Sequence, residues 1–204
     1  MTEFILGNWQ IKLHVLYKKQ NQFPAMRQDH SGRLCTLIEA ANQKICDGVI
    51  ISRQDPVVGV HTADCLPLVI ATTQYAYALH LSRKTLLTSL VSETFEQLTH
   101  HAVTGIFIGP HICPRHLVYQ YEGEEILAFK KAFPHAVEKR ADGTALSLKA
   151  AIEGLLQPYL TPSTPIIVDS RCTYEDSNLP SYRRWLEGGK QGELQHLFTM
   201  VSAF

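Results

Sequence analysis

The sequence lacks any excess of charge: 19 Lys and Arg stand against 19 Asp and Glu, a net charge of zero at neutral pH. A protein that holds nucleic acid through its phosphates needs a basic footprint, so nucleic acid is not an expected partner. There is no apolar run near the ~20 residues that cross a bilayer, which argues against a membrane partner. Residues 1–15 place Glu3 early and lack the basic-then-apolar order of a secretory leader, so the expected location is the cytoplasm. Low-complexity tracts and short repeats are also missing. Cysteine is scarce and odd in number, 5 in all. In a reducing compartment that count points away from a disulfide framework and towards free thiols or metal ligands. With 204 residues and a 45% apolar fraction, the expectation is one domain over 1–204 with a real core.

Periodicity gives the elements. Residues 11–17 alternate apolar and polar side chains as a half-buried strand does, and a polar stretch follows, ending in the turn-like His30-Ser31-Gly32. Residues 33–40 fit a strand or a helix, with strand favoured because a turn precedes them; 48–52 and 57–71 read as buried strands split at Asp55-Pro56 and loosened around Asp64-Cys65. In 73–82, Ala76, Ala78 and His80 share one face, with Tyr75, Tyr77 and Leu79 on the other. Helical spacing marks 85–101, 124–133 and 146–156; strands are expected at 105–109, 165–169 and near the C-terminus. Short turns between strands favour an α+β fold, a mixed α/β layering of largely antiparallel sheets flanked by helices.

The chemistry concentrates at HTADCLPLVI (61–70). Cys65 sits where a buried strand departs, and His80 ends the next strand among small neighbours. Taken alone, these read as a core thiol and a satisfied edge histidine. Cys35, Cys46 and Cys113 read as structural thiols, and Cys172 as packing or function with equal weight. His61, four residues before Cys65, is an alternative ligand ranked below His30. His100 and His101 suit a helix C-terminus.

The stretch GVHTADCLPLVI, with the strand that ends in His80, resembles the T-A-D-C-L-P-V and H-A-G-W-R-G motifs of the YfiH-like, laccase-domain family. Gln28-Asp29-His30-Ser31 is similar to the family's Q-V-H-G turn, Cys46-Asp47-Gly48 to its A-D-A/G strand start, and 109–114 to its G-P-x-I-G-P turn. Cys172-Thr173-Tyr174 and Ser181-Tyr182-Arg183-Arg184 match its C-T-Y and S-Y-R-R. These matches run in order from about residue 28 to 184.

The resemblance implies that His30, Cys65 and His80 converge as a zinc site with a fourth position open, copper being the weaker candidate. It also implies purine nucleoside phosphorylase activity, or adenosine deaminase activity, on adenosine, inosine or methylthioadenosine. Lys84, Arg183 and Arg184 would then lie near phosphate or ribose. The partners are a purine nucleoside and phosphate, and an oligomer is compatible with the sequence. Three ligands are too few for multi-copper oxidase chemistry.

Departures from the pattern keep a catalytically impaired metal-binding or structural module, and a hydrolase editing peptidoglycan precursors, as alternatives. The family's H-A-G-W-R-G reads His80-Leu81-Ser82-Arg83-Lys84-Thr85, without either glycine and with Lys84 at the arginine position. Val118 stands where an acidic residue is usual, Ser147 replaces the aspartate of L-D-L, and Gln195-His196 replace G-R-M. The G-G-V-S and S-L-N-L elements of the family's lead-in have no match.

Overall fold

Two strands open the chain in the computed structural model, which describes residues 2–16, 28–42 and 45–204. Tyr17 and the polar stretch as far as residue 27 lie outside the described residues. Strands β1 (Thr2–Leu6) and β2 (Trp9–Leu16) pair as an antiparallel hairpin. Strand β3 (Leu34–Thr36) runs straight into helix α1 (Leu37–Ala41). Residues 33–40 are therefore half strand and half helix, a correction to the strand reading. Thr36 and Glu39 form a reciprocal capping box, and that local signal starts the helix.

Strands β4 (Gly48–Ser52), β5 (Val58–Thr62), β6 (Leu66–Thr72) and β7 (Tyr75–Leu81) follow, and then helix α2 (Leu90–Leu98). Next come β8 (Val103–Ile108), the two-residue β9 (Val118–Tyr119) and α3 (Glu124–Ala132). The chain continues through β10 (Val137–Arg140), β11 (Gly143–Leu146), α4 (Leu148–Leu156) and β12 (Ile166–Val168). It ends with α5 (Tyr182–Glu187) and β13 (His196–Ala203). The sequence reading did not include β1, β9, the β10–β11 hairpin or α5, all short or polar.

The fold is mixed α+β in layers. A six-stranded sheet, ordered β12-β8-β6-β7-β4-β3, is antiparallel except at its two edges, where β12 joins β8 and β3 joins β4 in parallel. One face carries Leu68, Ile70, Tyr77, Leu79, Ile106 and Ile108, covered by Leu90 and Phe95 of α2, Phe129 of α3 and Ile152 of α4. The other face carries Val49, Val69, Ala76, Ala78 and Phe107, and receives Trp9, Ile11, Val60, Leu197 and Val201 from the antiparallel sheet β1-β2-β13-β5. The split of Tyr77 and Leu79 from Ala76 and Ala78 is the alternation expected of β7. Small residues on that face let the second sheet approach, and Trp9 fills the gap with its indole N–H on the Thr72 carbonyl at 2.9 Å. No helix among the described residues is long and apolar enough to cross a membrane.

Cys35 and Cys46 are not separate core thiols; a disulfide joins them, with Cα atoms 6.0 Å apart. The reason is topological. Parallel β3 and β4 set Cys35 opposite Val49, and the chain returning from α1 passes Cys46 beside Cys35 just before β4 begins. An odd total said nothing about this local pair, and Cys65, Cys113 and Cys172 remain free.

Candidate metal centre and cavity

Antiparallel pairing of β6 with β7 sets Pro67 opposite His80 and Leu66 opposite Leu81, so the open end of the hairpin brings Cys65 to His80. The parting of these residues in sequence is closed by register alone. His30 arrives from the loop before β3, in a left-handed conformation with φ 65°. That backbone is unfavourable for a non-glycine residue and is held by Asp47, whose carboxylate accepts the N–H of His30 at 3.2 Å and of Gly32 at 2.8 Å. Ligand atoms of His30, Cys65 and His80 lie within 4.8 Å of one another, with Cys65 Sγ 3.9 Å from His30 Nε2.

Asp47 is the buried centre of this arrangement. Its Oδ1 lies 2.9 Å from His80 Nδ1, which fixes the imidazole and turns Nε2 towards the thiol. Burial works against the Asp47 carboxylate, but bonds from His80, Gly32 and His30 outweigh it and hold its pKa below the ordinary value. Burial would raise the Cys65 thiol; the charge of His80 and hydrogen bonds from His30 and His80 bring it down to about 6. Burial would likewise lower His80, yet the Cys65 charge and the Asp47 hydrogen bond push it up to about 9. Without a metal, the pair is therefore a thiolate beside an imidazolium. Two imidazoles and a thiolate form a donor set suited to zinc or copper, so these residues fit the implied metal.

The three residues line a cavity of about 680 Å³, within the range of small-molecule sites. Ile112, Leu117, Tyr182, Leu186 and Leu194 supply apolar wall, and Arg83, Lys84 and Arg183 supply charge. Arg83 donates to Glu125 at 2.7 Å and to the Tyr119 hydroxyl at 2.9 Å, and its guanidinium lies 4.9 Å from the Tyr119 ring centre. Lys84 pairs with the same Glu125 at 3.1 Å. The Arg183 guanidinium also lies over the Tyr119 ring, 5.9 Å from its centre.

Arg184 does not join them. Its guanidinium donates to the carbonyls of Thr173 at 2.8 Å and Tyr174 at 2.7 Å, and to that of Leu179, which ties down the turn before α5. Its donors are occupied by backbone, and it is not among the residues that line the cavity. His61 lines the cavity without entering the ligand cluster; its ring stacks on Phe198 at 4.5 Å. Gln28 spans its backbone, accepting from His61 N–H and donating to its carbonyl.

The missing glycines after His80 have a local replacement. Ser82 and Thr85 are buried, and their hydroxyls close a turn through Ser82 N–H on Thr85 Oγ1 at 2.7 Å and Thr85 Oγ1 on the His80 carbonyl at 3.1 Å. Neither has positive φ, so this turn does not require glycine. Asp64, at φ 86°, accepts the Thr173 hydroxyl at 2.7 Å and the Arg183 N–H at 2.6 Å, which docks the first turn of α5 beside Cys65. Asp47 and Arg83 enter the sequence reading only as motif positions without a site role, and Tyr119 does not enter it. For Asp47 a signal existed: it immediately precedes β4, whose Gly48 pairs with Leu79, which puts it opposite His80.

A family model described as multi-copper polyphenol oxidoreductase laccase matches residues 2–200. The chain belongs to this family. Among curated relatives of this laccase-family chain, a protein of Campylobacter jejuni named purine nucleoside phosphorylase is 29% identical over 178 residues, covering 84% of this chain and 75% of the relative. One of Aquifex aeolicus with the same name is 24% identical over 184 residues, covering 89% and 85%. A solved structure of a Neisseria meningitidis protein superposes with TM-score 0.72 at 20% identity, covering 89% of this chain and 74% of that one. Bacillus licheniformis protein YfiH does so with TM-score 0.71 at 16% identity, covering 91% and 76%. The laccase-family and YfiH-like resemblance and the layered α+β fold both stand on these matches.

Proposed function

We propose that the protein is a zinc-dependent purine nucleoside phosphorylase, with His30, Cys65 and His80 as the metal ligands. The observation that carries this reading is the convergence of their donor atoms in a cavity whose rim presents Arg83, Lys84 and Arg183. The names of the Campylobacter and Aquifex relatives support the same substrate class. Bound there, zinc supplies Lewis-acid polarisation of an oxygen and a lowered pKa for coordinated water.

The chain's own residues divide the rest of the work. Arg83, Lys84 and Arg183 bind phosphate, the arginines by planar forks and Lys84 as a point charge. Tyr119 holds the Arg83 guanidinium through its hydroxyl and ring face, which keeps that cation on the cavity side. The apolar wall of Ile112, Leu117 and Leu186 receives the base and excludes water around the reacting carbon. In the reaction, a phosphate oxygen bonds to the ribose anomeric carbon while the bond to the purine nitrogen breaks. The leaving base takes the electron pair and then the proton given up by the attacking hydrogen phosphate.

Assays of the purified, zinc-loaded full chain with inosine and adenosine test this. Release of free base that requires phosphate, with ribose 1-phosphate as co-product, supports the reading. Ammonia release without phosphate would replace it with deamination, and metal binding without either turnover would identify a metal-binding module instead. A site specific to the reading is Glu125, which pairs with both Arg83 and Lys84 and competes with phosphate for them.

A further inference from the structure

Away from the cavity ligands, the turn at 109–116 meets the turn at 172–176. Thr173 N–H donates to the His111 carbonyl at 3.2 Å, and Cys113 N–H donates to Cys172 Sγ at 3.2 Å. Glu175 Oε1 is 3.6 Å from Cys113 Sγ, and donor atoms of Cys113, Cys172 and Glu175 all lie within 4.8 Å of one another. We propose that Cys113, Cys172 and Glu175 form a second binding site for a divalent cation of the zinc class, separate from the His30–Cys65–His80 site.

The donor chemistry and its surroundings support it. Two thiols and a carboxylate are a donor set that zinc accepts at tetrahedral spacing, and softer thiolates exclude magnesium and calcium. The Cys113 N–H on Cys172 Sγ fixes that sulfur beside the other two donors. His116 Nε2 sits 2.9 Å from Glu175 Oε1 with its ring stacked on Tyr174 at 4.1 Å, which orients the carboxylate. Cys113 and Glu175 are partly exposed, which gives an ion an entry path, and Cys172 is buried beneath them. Arg115, on the other oxygen of Glu175 at 2.8 Å, offsets the negative charge left when two thiolates and a carboxylate surround a dication.

The site would brace the first one without touching it. Ile112 N–H donates to the Asp64 carbonyl at 3.0 Å and the Thr173 hydroxyl to the Asp64 carboxylate, so both joined turns support the residue before Cys65.

The test uses full-length Cys65→Ala protein, stripped of metal under reducing conditions and titrated with cobalt and then zinc. One equivalent of cobalt with thiolate-to-metal charge-transfer absorbance, displaced by one equivalent of zinc, is expected. That equivalent should be lost in Cys65→Ala/Cys113→Ser and reduced in affinity by 10-fold or more in Cys65→Ala/Glu175→Gln. Wild-type protein should bind two equivalents, and Cys113→Ser alone should retain one, so failure of this site and failure of the cavity site are read separately. The proposal is overturned if Cys65→Ala binds no cobalt, if Cys113→Ser changes nothing, or if mass spectrometry of the untreated protein finds Cys113 and Cys172 cross-linked. Should Cys172→Ser fold poorly, the exposed Cys113 and Glu175 variants carry the test.

Discussion

Asp47 decides the geometry of the candidate centre at the level of single residues. Fully buried, it takes bonds from the His80 ring and from the backbone on either side of Ser31. Asp47→Asn keeps the shape but removes the charge that fixes the His80 ring. Zinc affinity should fall 10- to 100-fold, measured by competition with a chromophoric chelator. The neighbouring thiol gives a pH signature. In metal-free protein the Cys65 thiol is held down to about 6, so it ionises as pH rises through that value and is a thiolate at neutrality. Ultraviolet thiolate absorbance and alkylation rate should follow that midpoint. In His80→Ala the midpoint should move up towards the ordinary cysteine range, because the cation that stabilises the thiolate is gone. On the rim, Glu125→Gln frees Arg83 and Lys84 together, and the KM for phosphate should fall several-fold with little change in kcat. A rise in KM would show that Glu125 positions these cations rather than masking them.

At the scale of elements, Gly32 lies at φ 76°, and a Cβ there would stand 1.9 Å from Thr88 Oγ1. Gly32→Ala should therefore lose about 1–3 kcal/mol, read from the denaturant midpoint, and loosen the loop that presents His30. Strand and helix periods made most of the elements legible in the sequence. β6, β7, α2, α3, α4 and β13 fall where alternation or helical spacing put them, because each buries a face against one of the two cores. The 33–40 segment misled because five apolar residues fit either period; the Thr36–Glu39 cap, not hydrophobicity, starts α1. Strands β9 to β11 make a small, half-exposed sheet, with no apolar alternation to announce them. Of the site, Cys65 and His80 were visible as chemistry at strand ends, whereas Asp47 and Tyr119 act through partners far along the chain. Arg184 looked equivalent to Arg183 by sequence; one step along α5 separates a cavity wall from a backbone clamp.

Over the whole molecule, two packed sheets and a helical layer hold a preformed cavity, with the donor cluster, the cations and the apolar wall drawn from residues 28 to 196. Sequence order could not reveal that gathering, and neither could composition reveal the Cys35–Cys46 bond that fixes the segment leading into Asp47. The proposed phosphorolysis requires one ion bound by His30, Cys65 and His80. The most direct measurement is phosphate-dependent release of hypoxanthine from inosine by chelator-stripped protein, repeated during titration with zinc. No release is expected without metal, with recovery in proportion to the zinc bound at this site and no recovery in Cys65→Ala or His30→Ala protein. Full activity in the stripped protein, or in either variant after zinc is added, would contradict it.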